Sequence, residues 1–97
     1  MKLEKGYYIT AEIKVKDNTQ IELVKSELQI LQKLTLEESG CNFFSIQQDN
    51  SVSTRFIMWE RFDDEDSFKK HFEYEHTKKY ISLDLTEVVQ YFQTNVF

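Results

Sequence analysis

From Tyr7 to Val15 the sequence YYITAEIKV alternates, with Tyr7, Ile9, Ala11, Ile13 and Val15 on one face and Tyr8, Thr10, Glu12 and Lys14 on the other. A period of two predicts a strand. The period then lengthens. Ile21, Val24, Leu28 and Leu31 recur at helical spacing and Leu34 continues the stripe, while Glu22, Lys25, Gln29 and Lys33 face water; this predicts an amphipathic helix. Asp17-Asn18-Thr19, with Glu22 three residues after Thr19, has the form of a capping box and places the helix start there. Ser39-Gly40 marks its stop, because glycine takes the left-handed conformation after a helix at low cost.

Two more strands, Cys41 to Gln48 and Thr54 to Phe62, flank the turn-rich DNSVS and are expected to pair antiparallel. The acidic run Asp63 to Asp66 lies where a helix dipole favours negative charge, so a second helix is predicted from about Asp64 to Tyr74. A short helix around Thr77 to Leu83 follows. The stretch from Glu87 to Phe97, rich in Val, Tyr, Phe and Thr, predicts the last strand.

The order β-α-β-β-α-β defines an α+β, ferredoxin-like domain: a four-stranded antiparallel sheet with both helices on one face. Alternation along its strands sets Trp59 and Ile57 opposite Phe56 and Met58, Phe44 and Ile46 opposite Phe43, and Val89 and Tyr91 opposite Val88 and Phe92. Both sheet faces therefore carry large apolar groups. Helices cover one of them, and a homodimer with two-fold symmetry would cover the other.

Composition narrows the class. A chain of 97 residues, with eight Phe, five Tyr and one Trp, is expected to form one domain over residues 1–97 with a large aromatic share in its core. A net charge of −5, without a basic cluster, argues against nucleic acid or an anionic membrane as partner. The N-terminus lacks a signal-like apolar core, so the chain is expected to be mature as it stands, and no run approaches the roughly 18 apolar residues of a membrane span. One cysteine, Cys41, has no internal disulfide partner and no neighbouring cysteines for zinc. A cytoplasmic location fits this usage.

Both histidines lie in FKKHFEYEHTKKY, Phe68 to Tyr80. Five residues apart on one continuous helix, they would point about 140° away from each other and could not chelate an ion. No metal site is expected. Phe68, His71, Phe72 and Glu75 follow the i, i+3, i+4, i+7 pattern, so His71 should face the sheet. It is then either a core histidine satisfied by a hydrogen bond or a polar group in an apolar pocket, suited to proton transfer near neutral pH. His76 marks a helix junction, as a cap or surface residue. Glu60 shares a strand face with Phe56, Met58 and Phe62, where an acid is either at an exposed edge or paired with a group such as His71. Glu12 is expected to be solvated or dimer-facing, while Tyr8, Tyr91, Trp59 and Arg55 belong to a pocket rim or a dimer seam.

The stretch ESGC followed by NFFSIQQD, together with RFIMWERFDDEDSFKKHFEYEHTKKY, resembles the antibiotic biosynthesis monooxygenase family of dimeric α+β barrels, over roughly residues 7–97. The resemblance implies a small-molecule substrate held between helices and sheet. It also implies oxidation of quinols or polyketide aromatics by O2 with no flavin or metal, hence no cofactor. Under it His71 is the catalytic acid/base and Glu60 orients it, while Met58, Phe62, Phe68, Phe72 and His76 bind substrate. A relative that isomerises phosphorylated autoinducer-2 is similar around TRFIMWERFDDEDSFKKHF and EHTKKY, which makes isomerisation of a small oxygenated metabolite an alternative. A non-catalytic ligand-binding dimer is another. The haem-degrading branch uses Asn, Trp and His where this chain has Ala11, His71 and Ile81, so haem degradation is disfavoured.

Overall fold

A computed structural model describes residues 3–97. Strand β1 spans Tyr7–Val15 and a 3-10 turn spans Asn18–Gln20. Helix α1 spans Ile21–Thr35, β2 Cys41–Gln48, β3 Arg55–Phe62, α2 Glu65–His71, α3 Glu75–Leu83 and β4 Thr86–Thr94. The sheet runs β2-β3-β1-β4, with every neighbouring pair antiparallel. This is the expected ferredoxin-like α+β architecture. No helix among the described residues is long and apolar enough to cross a membrane.

The helices begin where short side chains satisfy free backbone donors. Asp17, two residues ahead of the expected Thr19 cap, accepts hydrogen bonds from the Thr19 backbone N–H at 2.9 Å and from its hydroxyl at 2.7 Å. That contact folds Asn18–Gln20 into the 3-10 turn and delays α1 to Ile21. Asp64 caps α2 by accepting from Ser67 N–H at 2.8 Å. One inner layer then forms: Val24, Leu28 and Leu31 of α1 pack on Ile13, Val15, Phe44, Phe56 and Phe62 of the sheet. Thr35, not Leu34, completes the buried stripe of the helix.

Two expectations change. Gly40 does not act through a left-handed backbone, since no described glycine has positive φ. The helix has already ended at Thr35, and Gly40 is small because α2 crosses close by. A Cβ there would lie 2.4 Å from Ser67 Oγ and 2.5 Å from Ser67 Cβ. The second change is in β4. A bulge against Glu12/Ile13 pairs Ala11 with Tyr91 and Ile13 with Val88. Val88 and Tyr91 therefore share the inner face, although simple alternation would separate them.

On the outer face Phe43, Trp59 and Phe92 are 43%, 48% and 55% exposed. Glu12 also lies there. It accepts from Arg55 Nε at 3.1 Å and from Gln90 Nε2 at 3.0 Å.

The Gly40 contact makes a stability prediction. Gly40→Ala is expected to cost about 1–3 kcal/mol in urea unfolding, as overpacking does. Adding Ser67→Gly should restore part of that loss, so the two changes should be non-additive. Strict additivity would show that the clash with Ser67 is not the cause.

Candidate functional site

Helices α2 and α3 are short, and the break between them opens the space beneath. Phe72 N–H donates to Lys69 O and Glu73 N–H to Lys70 O, closing α2. Tyr74 is extended, and α3 starts at Glu75. Between this broken helical layer and the sheet lies a cavity of about 530 Å3. Its sheet wall includes Ile9, Ala11, Met58, Val88 and Tyr91, and its helical wall includes Phe68, Phe72 and Ile81. Polar groups enter at Glu60, His71, Thr77, Tyr80, Asp84 and Thr86. Two of these satisfy each other, Tyr80 Oη and Thr86 Oγ1 at 2.8 Å. The lining includes neither Lys nor Arg.

The break also undoes the 140° argument. Because the chain changes direction between His71 and His76, both imidazoles converge on one carboxylate that sequence reasoning did not single out. His71 Nδ1 lies 2.7 Å and His76 Nε2 2.6 Å from Glu38 Oε2. Glu38 and His71 are buried, at 5% and 4% exposure, and His76 is half-buried. A carboxylate can only accept, so both rings donate N–H to it. This assigns the His71 proton to Nδ1 and leaves Nε2 as a lone pair with no hydrogen-bond partner among the described residues. Rings of Phe44, Phe62 and Phe72 surround His71, with centroids 5.7, 5.6 and 5.2 Å away. Thr77 Oγ1 makes a longer contact with His71 Nδ1, 3.3 Å.

Glu38 is fixed by its backbone in the turn after α1. Its N–H donates to Thr35 O at 3.0 Å, and its carbonyl accepts from Cys41 N–H at 3.1 Å. A signal for it was present in the spacing. Val24, Leu28, Leu31 and Thr35 continue to position 38 at the same three- and four-residue intervals, so the acid follows the buried stripe one turn past the helix end.

Glu60 reaches the cavity from β3, where it pairs across the sheet with Ile9 and Phe44. It is 6% exposed. Burial, and then the negative charge of Glu38, push its carboxyl up to about 8. It is thus a neutral proton donor near pH 7. The expected pairing of Glu60 with His71 is replaced by the pairing of Glu38 with His71. Burial lowers the His71 pKa against the opposing hydrogen bond to Glu38, which favours a neutral imidazole. Cys41, beside the cluster, has its thiol pushed up to about 12, chiefly by burial and next by Glu38; it is unsuited to nucleophilic work. Of the other expected site residues, Met58, Phe68 and Phe72 line the cavity. Phe62 and His76 stand behind it, Phe62 fully buried against Phe68 at 5.5 Å.

A ferredoxin-like sheet with a helix-roofed cavity holding an acid and an oriented imidazole defines the class. The chain belongs to the antibiotic biosynthesis monooxygenase family, whose model matches residues 6–83. It is 29% identical over 90 residues to the uncharacterized protein YjcS of Bacillus subtilis, covering 93% of this chain and 86% of that protein. The solved structure of a protein YjcS superposes with a TM-score of 0.87 at 28% identity, covering 94% of this chain and 98% of that one. PA3566 from Pseudomonas aeruginosa shares the fold, with a TM-score of 0.86 at 22% identity over 100% of this chain and 99% of that one.

The buried acid predicts a pH signature. Glu60 keeps its proton to about pH 8 when folded, against an ordinary value of 4.5. Its contribution to stability is therefore full below about pH 4.5 and is lost as pH rises toward 8. Glu60→Gln should remove this slope. In urea unfolding the variant should match the wild type near pH 5 and exceed it by roughly 3–5 kcal/mol above pH 8, from 1.36 kcal/mol per unit. Equal slopes for the two chains would rule out a neutral Glu60.

Proposed function

We propose that this protein is a cofactor-independent monooxygenase acting on a small, neutral aromatic or quinol-type substrate. The observation that carries the reading is the His71 imidazole, held by Glu38 through Nδ1 at the wall of a largely apolar cavity. Nε2 is the base. It takes a proton from an anthrone-type CH2 or a phenol, and Glu60 donates a hydrogen bond to the substrate oxygen. The electron-rich carbon then reduces O2: the CH2 becomes C=O, one oxygen atom enters the product and the other leaves as water. Apolar walls admit O2 and exclude bulk water. Glu38 acts through His71 and is a positioning residue; its charge also offsets that of the imidazolium that forms. Met58, Phe68 and Phe72 would pack on the substrate ring.

A second reading has its own support. A neutral acid and a neutral base on one cavity also suit enolisation, which would make the protein an isomerase of a small oxygenated metabolite. A phosphorylated substrate fits poorly, because the lining residues supply no cation. A non-catalytic ligand-binding dimer would use the same cavity without turnover.

In this reading the working unit is a cytoplasmic homodimer. The exposed aromatic groups Phe43, Trp59 and Phe92 on the outer sheet face support a second copy there, and a buried, unpaired Cys41 suits a reducing compartment. Sedimentation at low micromolar concentration is expected to give twice the 11.7 kDa chain mass, and Trp59→Glu should shift the species to the monomer. A wild-type protein sedimenting as a single chain would remove the dimer.

The activity test is O2 uptake with an anthrone or a reduced quinol. His71→Ala should lower kcat by about 10^2–10^4, the usual range for loss of a general base. Glu38→Gln should lower kcat more than it raises KM. Unchanged turnover in His71→Ala would refute the assigned base. A substrate that is isomerised without O2 uptake would select the second reading, and a ligand released unaltered would select the binding module.

A further inference from the structure

The geometry points to a divalent transition-metal site built from Glu38, His71 and His76. Their ligand atoms, Glu38 Oε2, His71 Nδ1 and His76 Nε2, all lie within 4.8 Å of one another. They come from three separate segments, the turn after α1, the end of α2 and the first turn of α3. Backbone hydrogen bonds fix the first of these and close the second, so the donor set is assembled by the fold itself.

Three arguments favour an ion. The first is donor chemistry: two imidazoles and one carboxylate suit Zn2+, Co2+, Fe2+ or Ni2+, whereas Ca2+ and Mg2+ prefer all-oxygen shells. The second is charge. Glu38 brings a buried carboxylate, and the adjoining cavity is lined by neither Lys nor Arg. The third is room for a further ligand. His71 and Thr77 both border the cavity, and Thr77 Oγ1 lies 3.3 Å from His71 Nδ1. A water or a ligand oxygen could complete the coordination from that side.

Binding asks for a small local change. Metal bonds of about 2.0–2.2 Å place donors roughly 3.0–3.5 Å apart, and the present N···O separations are 2.7 and 2.6 Å. Rotation about the Glu38 side-chain torsions lengthens those two separations by the few tenths of an ångström required, and the two imidazole nitrogens, within 4.8 Å of each other, settle to the same spacing by turning about their own torsions. Protons also balance. An imidazole that coordinates through one nitrogen keeps its N–H on the other, so on metal binding the His71 proton moves from Nδ1 to Nε2.

That shift has a consequence for the cavity. Nε2 of His71 ceases to be a base and becomes a donor, so the ion would silence the proton abstraction described above. The silencing rests on the monooxygenase reading; the binding does not.

The test uses the full chain without a histidine tag, stripped with EDTA and titrated with Co2+. The expected result is saturation at one ion per chain, with the visible absorption of four- or five-coordinate Co2+, reversed by Zn2+. Glu38→Gln and His76→Gln should each weaken binding at least about 10-fold, whereas Glu60→Gln should retain it. A wild-type spectrum that stays that of hexaaqua Co2+ overturns the site, and this measurement needs no variant to fold. Unweakened binding in Glu38→Gln and His76→Gln, with native circular dichroism, overturns it as well. Saturable binding with O2 uptake unaffected by Zn2+ would leave the metal site standing and remove the base role of Nε2. Activity without any ion uptake would do the reverse.

Discussion

A carboxylate taken out of water costs several kcal/mol unless donors replace its hydration. Glu38 meets that requirement with two imidazole N–H groups on a single oxygen. The arrangement makes demands in both directions along the chain. The turn after helix α1 has to keep residue 38 on the buried stripe, and the second helical segment has to break so that residues 71 and 76 can reach the same point. The broken helical layer is thus the geometric condition for satisfying one buried charge. The cavity beneath that layer is a consequence of the same condition.

The cluster also organises the electrostatics of its surroundings. Glu60 has no comparable pair of donors and lies in the field of Glu38, so its proton stays on. Two acids of similar intrinsic strength, brought to one region by different elements, acquire opposite states because one is supplied with N–H groups and the other is not. His71 then shares the cavity with a neutral acid while leaning on a charged one. A site of this kind needs no exceptional residue; it needs an unequal supply of donors to two ordinary ones.

The architecture was legible in the sequence because its signals are local. Period two marks β1, helical spacing marks α1, and Asp17 and Asp64 mark helix starts within a few residues. His71 and Glu60 could be placed on inward faces by the same periodicity. The spacing marks position 38 as buried, but its imidazole partner was not legible, since Glu38 lies 33 residues before His71 and only the tertiary fold brings them together. The convergence of the two histidines was not legible either, because helical phase holds only along a continuous helix, and the chain closes α2 with local turns at Phe72 and Glu73 and is extended at Tyr74. Simple alternation separates Val88 from Tyr91 for a related reason: a bulge is a property of two strands, and one strand's pattern does not announce it.

That bulge bears on how such a cavity diversifies. The step between Val88 and Tyr91 spans three positions where regular pairing would span two. Loss of the extra residue there would give regular pairing while leaving Val88 opposite Ile13 and Tyr91 opposite Ala11, both still on the inner face. What would go is the local bend and added twist that a bulge gives its strand. A single codon at this point therefore sets the curvature of one cavity wall without exchanging its side chains, a route to a different cavity shape that requires no substitution at the acid or the imidazole.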